Sequence, residues 1–245
     1  MRVMQHRITV AVWLAALALC ACATSPPAPL TRDAAALSDV ELARRTDFIE
    51  QRLDARKTPA QIWHWSWLAI NGGTGVALNT AMAVTEDAKE ERAAAVVQAV
   101  LGAVGVATLY IDPMKARYGS EPLRALPDET REQRVAKLQR GEVMLQENAA
   151  RNAQRTSWVM HAGTVFMSAA AGLIVYAFGG KSDAVITGVS TLAGGELLLW
   201  TTPPGPVHDL EDYRAVFGSP GESPDPSTSH GVGAPVPRAA FTLRF

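Results

Sequence analysis

The sequence predicts an all-α protein: a four-helix bundle of two tandem helical hairpins, each preceded by a charged amphipathic helix. A disordered N-terminal tether and a Pro/Gly/Ser-rich C-terminal tail flank it. Three observations predict this. Four apolar stretches, about 62–84, 94–111, 157–178 and 184–202, are each near the ~20 residues that a helix needs to cross a bilayer. Charged segments with helical spacing, 38–58 and 128–156, precede them in pairs. The two halves also resemble each other in sequence.

The chain has 245 residues, 48% hydrophobic and 19% charged, with a net charge of −1. A balanced charge argues against nucleic acid as a partner, because phosphate binding needs a clustered excess of Lys and Arg. The two cysteines, Cys20 and Cys22, both lie at the N-terminus, so no disulfide framework or cysteine-ligated metal is expected in the body.

Residues 1–21 read as an export signal: Arg2 and Arg7 open it, an apolar run follows from Ile8 to Leu19, and small residues come after. The run Leu19-Cys20-Ala21-Cys22 resembles a bacterial lipobox. The resemblance implies a lipoprotein precursor, cleaved before Cys22 and carrying acyl chains such as palmitate on that cysteine. Ala23, where Asp would favour the inner membrane, implies the outer membrane. An ordinary signal cleaved at Ala21-Cys22-Ala23 is the alternative.

Residues 22–37, rich in Ser, Pro, Thr and Ala, predict a disordered tether. Ser38 should then cap a helix, accepting from the amide of Glu41 while the Glu41 carboxylate reaches back. Leu42, Phe48, Ile49 and Leu53 give that helix its apolar stripe. Residues 38–217 form the expected bundle, membrane-associated, with repeats at about 38–113 and 128–203. At an offset of 90, Ala103, Gly105, Leu109 and Pro113 match Ala193, Gly195, Leu199 and Pro203; at 91, Ser66, Trp67, Gly72 and Val84 match Ser157, Trp158, Gly163 and Val175. That shared order predicts an internal duplication.

The hairpin turns, 86–92 and 179–183, fall at one end. The aromatics Trp63, Trp65, Trp67, Tyr110, Trp158 and Trp200 fall at the other, as an interfacial belt would. Segment 128–156 carries Val135, Leu138 and Leu145 toward 38–58 and is expected to run unbroken into the third apolar stretch. After Pro203-Pro204 comes an amphipathic piece (Leu210, Tyr213, Val216, Phe217). The linker and tail, 218–245, end in Ala240-Phe241-Thr242-Leu243-Arg244-Phe245, which alternates like a short strand.

One conflict is internal to the sequence. Lys and Arg cluster before the first apolar stretch and in 113–157, which would place both charged helices in the cytoplasm. A lipidated Cys22 places the first of them outside it. The sharper lipobox signal is preferred.

Little chemistry is legible. His6, His64, His161, His208 and His230 are scattered without metal-ligand spacing, and no phosphate loop or nucleophile elbow occurs. No enzyme activity, cofactor or metal is expected. Gly72-Gly73-Thr74-Gly75 reads as close helix packing. One polar constellation stands out: Glu196 with His161 and Asn71, ionisable and polar groups inside membrane-length segments. It is either an intramembrane site or a set of packing contacts. The expected role is structural, as a scaffold or accessory lipoprotein of the bacterial cell envelope. Its partners would be membrane lipid and another envelope protein meeting the charged helices. The alternatives are a small channel or transporter component centred on Glu196, and a soluble periplasmic bundle held only by its lipid.

Overall fold

The computed structural model describes residues 27–31, 33–178 and 180–218. The lipobox, the leader and the strand-like tail lie outside these residues. Every regular element described is helical: α1 (Asp39–Ala69), a π-helical segment (Ile70–Leu78), α2 (Asn79–Thr85), α3 (Lys89–Ile111), α4 (Glu121–Arg124), α5 (Arg131–Arg155), α6 (Trp158–Tyr176), α7 (Lys181–Trp200) and α8 (Gly205–Phe217), with short 3-10 helices at Ala34–Ala36 and Lys115–Tyr118. The all-α bundle expected from sequence is therefore what forms.

It is built in two storeys. The polar storey, or head, joins the first half of α1 to α4, α5 and α8. Its core is the predicted stripe, Leu42, Ile49 and Leu53, meeting Leu138 and Leu145 of α5 and Tyr213 of α8. Phe48, Tyr213 and Phe217 close it as an aromatic cluster, with ring centroids 5.0–5.9 Å apart. The apolar storey, or stem, holds the two hairpins. The helices α6 and α7 pair along their length, and both also touch α3. The π segment and α2 pack on α3. At the boundary Trp63, Trp67, Leu109 and Met114 form a second small core with Leu198 beside it, and the Trp67 indole N–H donates to Thr201 Oγ1 at 3.0 Å.

Helix starts follow the capping logic with one exchange. Ser38 accepts from the amide of Glu41 at 3.2 Å, as expected. The Glu41 carboxylate does not reach back; it pairs with Arg45 at 2.9 Å and Arg44 at 3.4 Å. The full capping box is at α5, where Thr130 accepts from Gln133 N and the Gln133 side chain accepts from Thr130 N at 3.0 Å.

Two expectations are corrected, and a third feature carried no signal in the sequence. The residues 27–31 and 33–37 of the supposed tether are docked on the head. Ala34 is 1% exposed, Leu30 and Leu37 pack on the core, and the Ala28 carbonyl accepts from Gln146 Nε2 at 2.9 Å. Composition alone hid this, because the docking comes from tertiary partners rather than from a local period. Second, the unbroken helix is the first, not the second. Helical backbone continues through Pro59 from residue 39 to residue 85. The α5–α6 helix breaks at Ser157, whose backbone is extended (ψ 154°). Third, α1 to α2 passes through nine residues of π-helix. Two asparagine side chains brace this segment against its own preceding turn: Asn71 Nδ2 donates to Trp67 O at 2.8 Å, and Asn79 Nδ2 to Thr74 O at 2.7 Å.

Glycines bring the stem helices together. The Gly75 and Gly102 backbones touch, since a Cβ on Gly102 would lie 2.6 Å from Gly75. Gly105 lies against the Asn71 side chain, and its counterpart Gly195 lies against Thr164. Leu109 and its counterpart Leu199 are both 4% exposed. Gly105 and Gly195, matched in sequence, thus each lie against a side chain of the paired segment, while the π segment and the Ser157 break each occur in one half.

Candidate functional site

Gly195 permits close approach of α7 to α6, and that approach sets the geometry of the neighbouring Glu196. Its Oε2 accepts from His161 Nδ1 at 2.7 Å and from the Trp200 indole N–H at 3.2 Å. The His161 and Trp200 rings meet edge-on at 6.2 Å. Of the three residues singled out by sequence, two are therefore brought together. The structure puts Asn71 elsewhere, on the π segment against Gly105 and α3. Counting residues along a helix carries no information about which face a side chain takes or which neighbouring helix it meets.

The His161–Glu196 side chains are about a third exposed and sit beside the exposed rings of Trp158 and Trp200. This is a polar patch at the edge of the α6–α7 pair, near the head. Glu196→Gln keeps an oxygen for Trp200 and removes the carboxylate that faces His161 Nδ1. The expected cost is small, about 1 kcal/mol or less, as for other partly exposed pairs. Thermal unfolding in detergent checks it; a much larger loss would mark the pair as structural core.

The six aromatics divide. Trp65, Tyr110, Trp158 and Trp200 are 58–66% exposed and ring the head–stem boundary. Trp63 and Trp67 are buried in the boundary core instead, because they fall on the face of α1 turned toward α3 and Met114. Four of the six rings are thus exposed, and the other two serve as packing.

Two groupings carry no legible spacing in the sequence. One is a buried carboxylate in the head. Glu142 on α5 is 0% exposed and accepts from the Tyr213 hydroxyl at 2.6 Å, from Thr31 N–H at 2.9 Å and from the Thr31 hydroxyl. It ties three chain segments together. Burial, and then the Glu142 carboxylate, raise the Tyr213 phenol well above its ordinary value, so it stays protonated and donates. The other is a cluster of cations at the boundary. Arg151 and Arg155 both engage Asp112, Lys115 pairs with Glu147 at 3.0 Å, and Arg117 lies against His64. The only advance signal for it was the Lys/Arg excess in 113–157, legible as a charge bias but not as a place.

Among the described residues no group of three or more His, Cys, Asp and Glu side chains could hold a metal ion. No known protein family, characterised protein or solved structure matches this chain.

Three helical segments are long and apolar enough to cross a membrane: Lys89–Ile111, Trp158–Tyr176 and Lys181–Phe217, whose apolar part is α7. Only 17% of each apolar window is buried inside the protein.

Proposed function

We propose that this chain is a membrane-embedded protein of the bacterial cell envelope with a structural or accessory role, its stem in the bilayer and its charged head at the surface. The observation that carries the reading is the low burial of the apolar windows. Val165, Phe166, Leu173, Val185, Ile186 and Val189 are all exposed on α6 and α7. So large an apolar surface on a soluble protein would be a liability, and lipid is the solvent it fits. Exposed Trp65, Tyr110, Trp158 and Trp200 sit where a membrane–water boundary would fall.

Polar groups within the stem are engaged with near neighbours. Gln98 Nε2 donates to Ser190 Oγ at 3.0 Å and to Thr191 Oγ1 at 3.3 Å, joining α3 to α7. Such bonds favour packing over conduction, which supports a scaffold rather than a channel centred on Glu196.

The lipobox resemblance adds a lipid anchor at Cys22 and a place in the outer membrane. Residues 27–31 dock on the head, and five residues extend at most about 18 Å. A lipid on Cys22 would therefore anchor on the same side of the membrane as the head. On this reading the head is periplasmic, against the charge bias of its loops. Membranes carrying wild type or Cys22→Ala, extracted with alkaline carbonate, test both parts. Retention of the variant in the pellet, in a form that detergent then solubilises, is the expected result. Release of a soluble helical variant would leave the lipid as the only anchor and end the embedded reading.

A further inference from the structure

The head carries an open groove between the start of α1 and the end of α8. Val40, Ala43 and Phe48 form one apolar wall, and Val216 and Phe217 the other. Its volume is about 590 Å³, within the ~300–1,000 Å³ of ordinary ligand clefts. The Arg44 and Arg45 guanidiniums lie over the Phe217 ring, each 5.0 Å from its centroid, which fixes that ring in place. Val40 and Val216 are 80% and 50% exposed, although Leu42, Ile49 and Leu53 on the neighbouring face of α1 are buried. Bilayer lipid does not cover this groove. Val40 lies roughly 35 Å along α1 from Trp65 at the head–stem boundary, at ~1.5 Å per residue.

The chain itself brings an occupant to the groove. Phe217 is both the last residue of α8 and part of the wall, and Gly218 leaves it with extended backbone (ψ 145°). Further on, the run Ala240-Phe241-Thr242-Leu243-Arg244-Phe245 has an apolar residue at every second position from Phe241. That spacing puts Phe241, Leu243 and Phe245 on one face of an extended segment. Residues 218–239 can span up to about 70 Å, so the run reaches every part of the groove, and tethering raises its local concentration to the millimolar range. The charges also match. Asp47 lies in the groove wall without an ion pair among the described residues, because Arg44, Arg45 and Arg52 on either side of it engage Glu41, Asp209 and Asp212. The run offers it Arg244, whose long apolar stem can lie along the groove while the guanidinium reaches the rim.

We propose that residues 240–245 of the same chain dock in this groove, with Phe241, Leu243 and Phe245 against its apolar walls and Arg244 paired with Asp47. The exposed face of the head is then closed by its own tail. A second copy of the chain could supply the same run, and the test separates the two sources.

The test uses the full chain purified in detergent and carrying Val40→p-benzoylphenylalanine, a photoreactive side chain at a position open enough to accept it. After illumination, crosslinked peptides are mapped by mass spectrometry. The expected result is crosslinking to residues 240–245 in a species of one-chain mass. Tyr118→p-benzoylphenylalanine, on an exposed side chain of the 3-10 helix Lys115–Tyr118, should give no crosslink to that run. Asp47→Arg and Arg244→Asp each set like charges face to face and should lower the Val40 yield about fivefold, the upper end for an exposed ion pair. Combining them should restore it, and circular dichroism checks that each variant keeps its helices. No crosslink to residues 240–245, or equal crosslinking from position 118, would overturn the proposal. Crosslinks confined to a species of two-chain mass would also overturn it, since the occupant would then be a second copy's tail. A yield indifferent to both charge reversals would overturn the Asp47–Arg244 pairing.

Discussion

Glu142→Ala is expected to lower the stability of the head by about 3 kcal/mol, because it removes the acceptor of three donors at once, one of them fully buried. The buried Tyr213 hydroxyl and the half-buried Thr31 amide and hydroxyl all converge on this carboxylate. Glu142→Gln is expected to be far milder. Its amide oxygen can keep the Thr31 N–H, and its NH2 can donate to the two hydroxyls, which turn to accept. Tyr213→Phe should cost about 1 kcal/mol, one hydrogen bond of ordinary worth. Chemical unfolding followed by circular dichroism would order the three variants. If Ala and Gln proved equally harmful, charge rather than hydrogen-bond satisfaction would be the quantity that matters at Glu142.

Limited proteolysis adds a local readout. The network holds residues 27–31 on the head, so Glu142→Ala should expose that segment to cleavage before the helices unfold.

Gly102→Leu is expected to open the first hairpin. Gly102 and Gly75 meet backbone to backbone, so a side chain has no rotamer that avoids the other helix. Overpacking ordinarily costs about 1–3 kcal/mol where neighbours can shift. Here the obstacle is main chain on both sides, and a loss of about 3 kcal/mol or more is the expectation. Gly73 and Gly194 are the controls: a Cβ on either meets nothing within 4 Å, and Ala there should change thermal stability in detergent by less than about 1 kcal/mol. Equal effects at Gly102 and Gly73 would mean that the glycines act through chain flexibility rather than close approach.

The fold class was legible because the apolar stretches and the amphipathic stripe are local patterns, and a helix satisfies its backbone locally. Leu42, Ile49, Leu53, Leu138 and Leu145 announced the head core through spacing alone. The polar pair His161–Glu196 was half legible. Its members could be placed near one depth by counting residues, yet Asn71, grouped with them on the same count, belongs to another contact. Trp63 and Trp67 looked like Trp65, and only the face that α1 presents to α3 separates packing from belt.

What the sequence determined by itself was therefore one-dimensional: which segments are helical, which side of a helix is oily, and the lipobox-like run at Leu19-Cys22; of the four apolar stretches it offered for a bilayer, 62–84 is not among the three that qualify. What the tertiary structure decided was everything that depends on two segments meeting. It seated Thr31 on Glu142, turned the Gly-rich run at 72–75 into a π-helical contact with α3, broke the second long helix at Ser157 and gathered Lys115, Arg151 and Arg155 from separate elements around one crevice. Periodicity reports the environment of a residue along its own helix. The identity of the partner across the interface is set by close packing and by the need to satisfy every buried polar group, and those conditions exist only once the chain has folded.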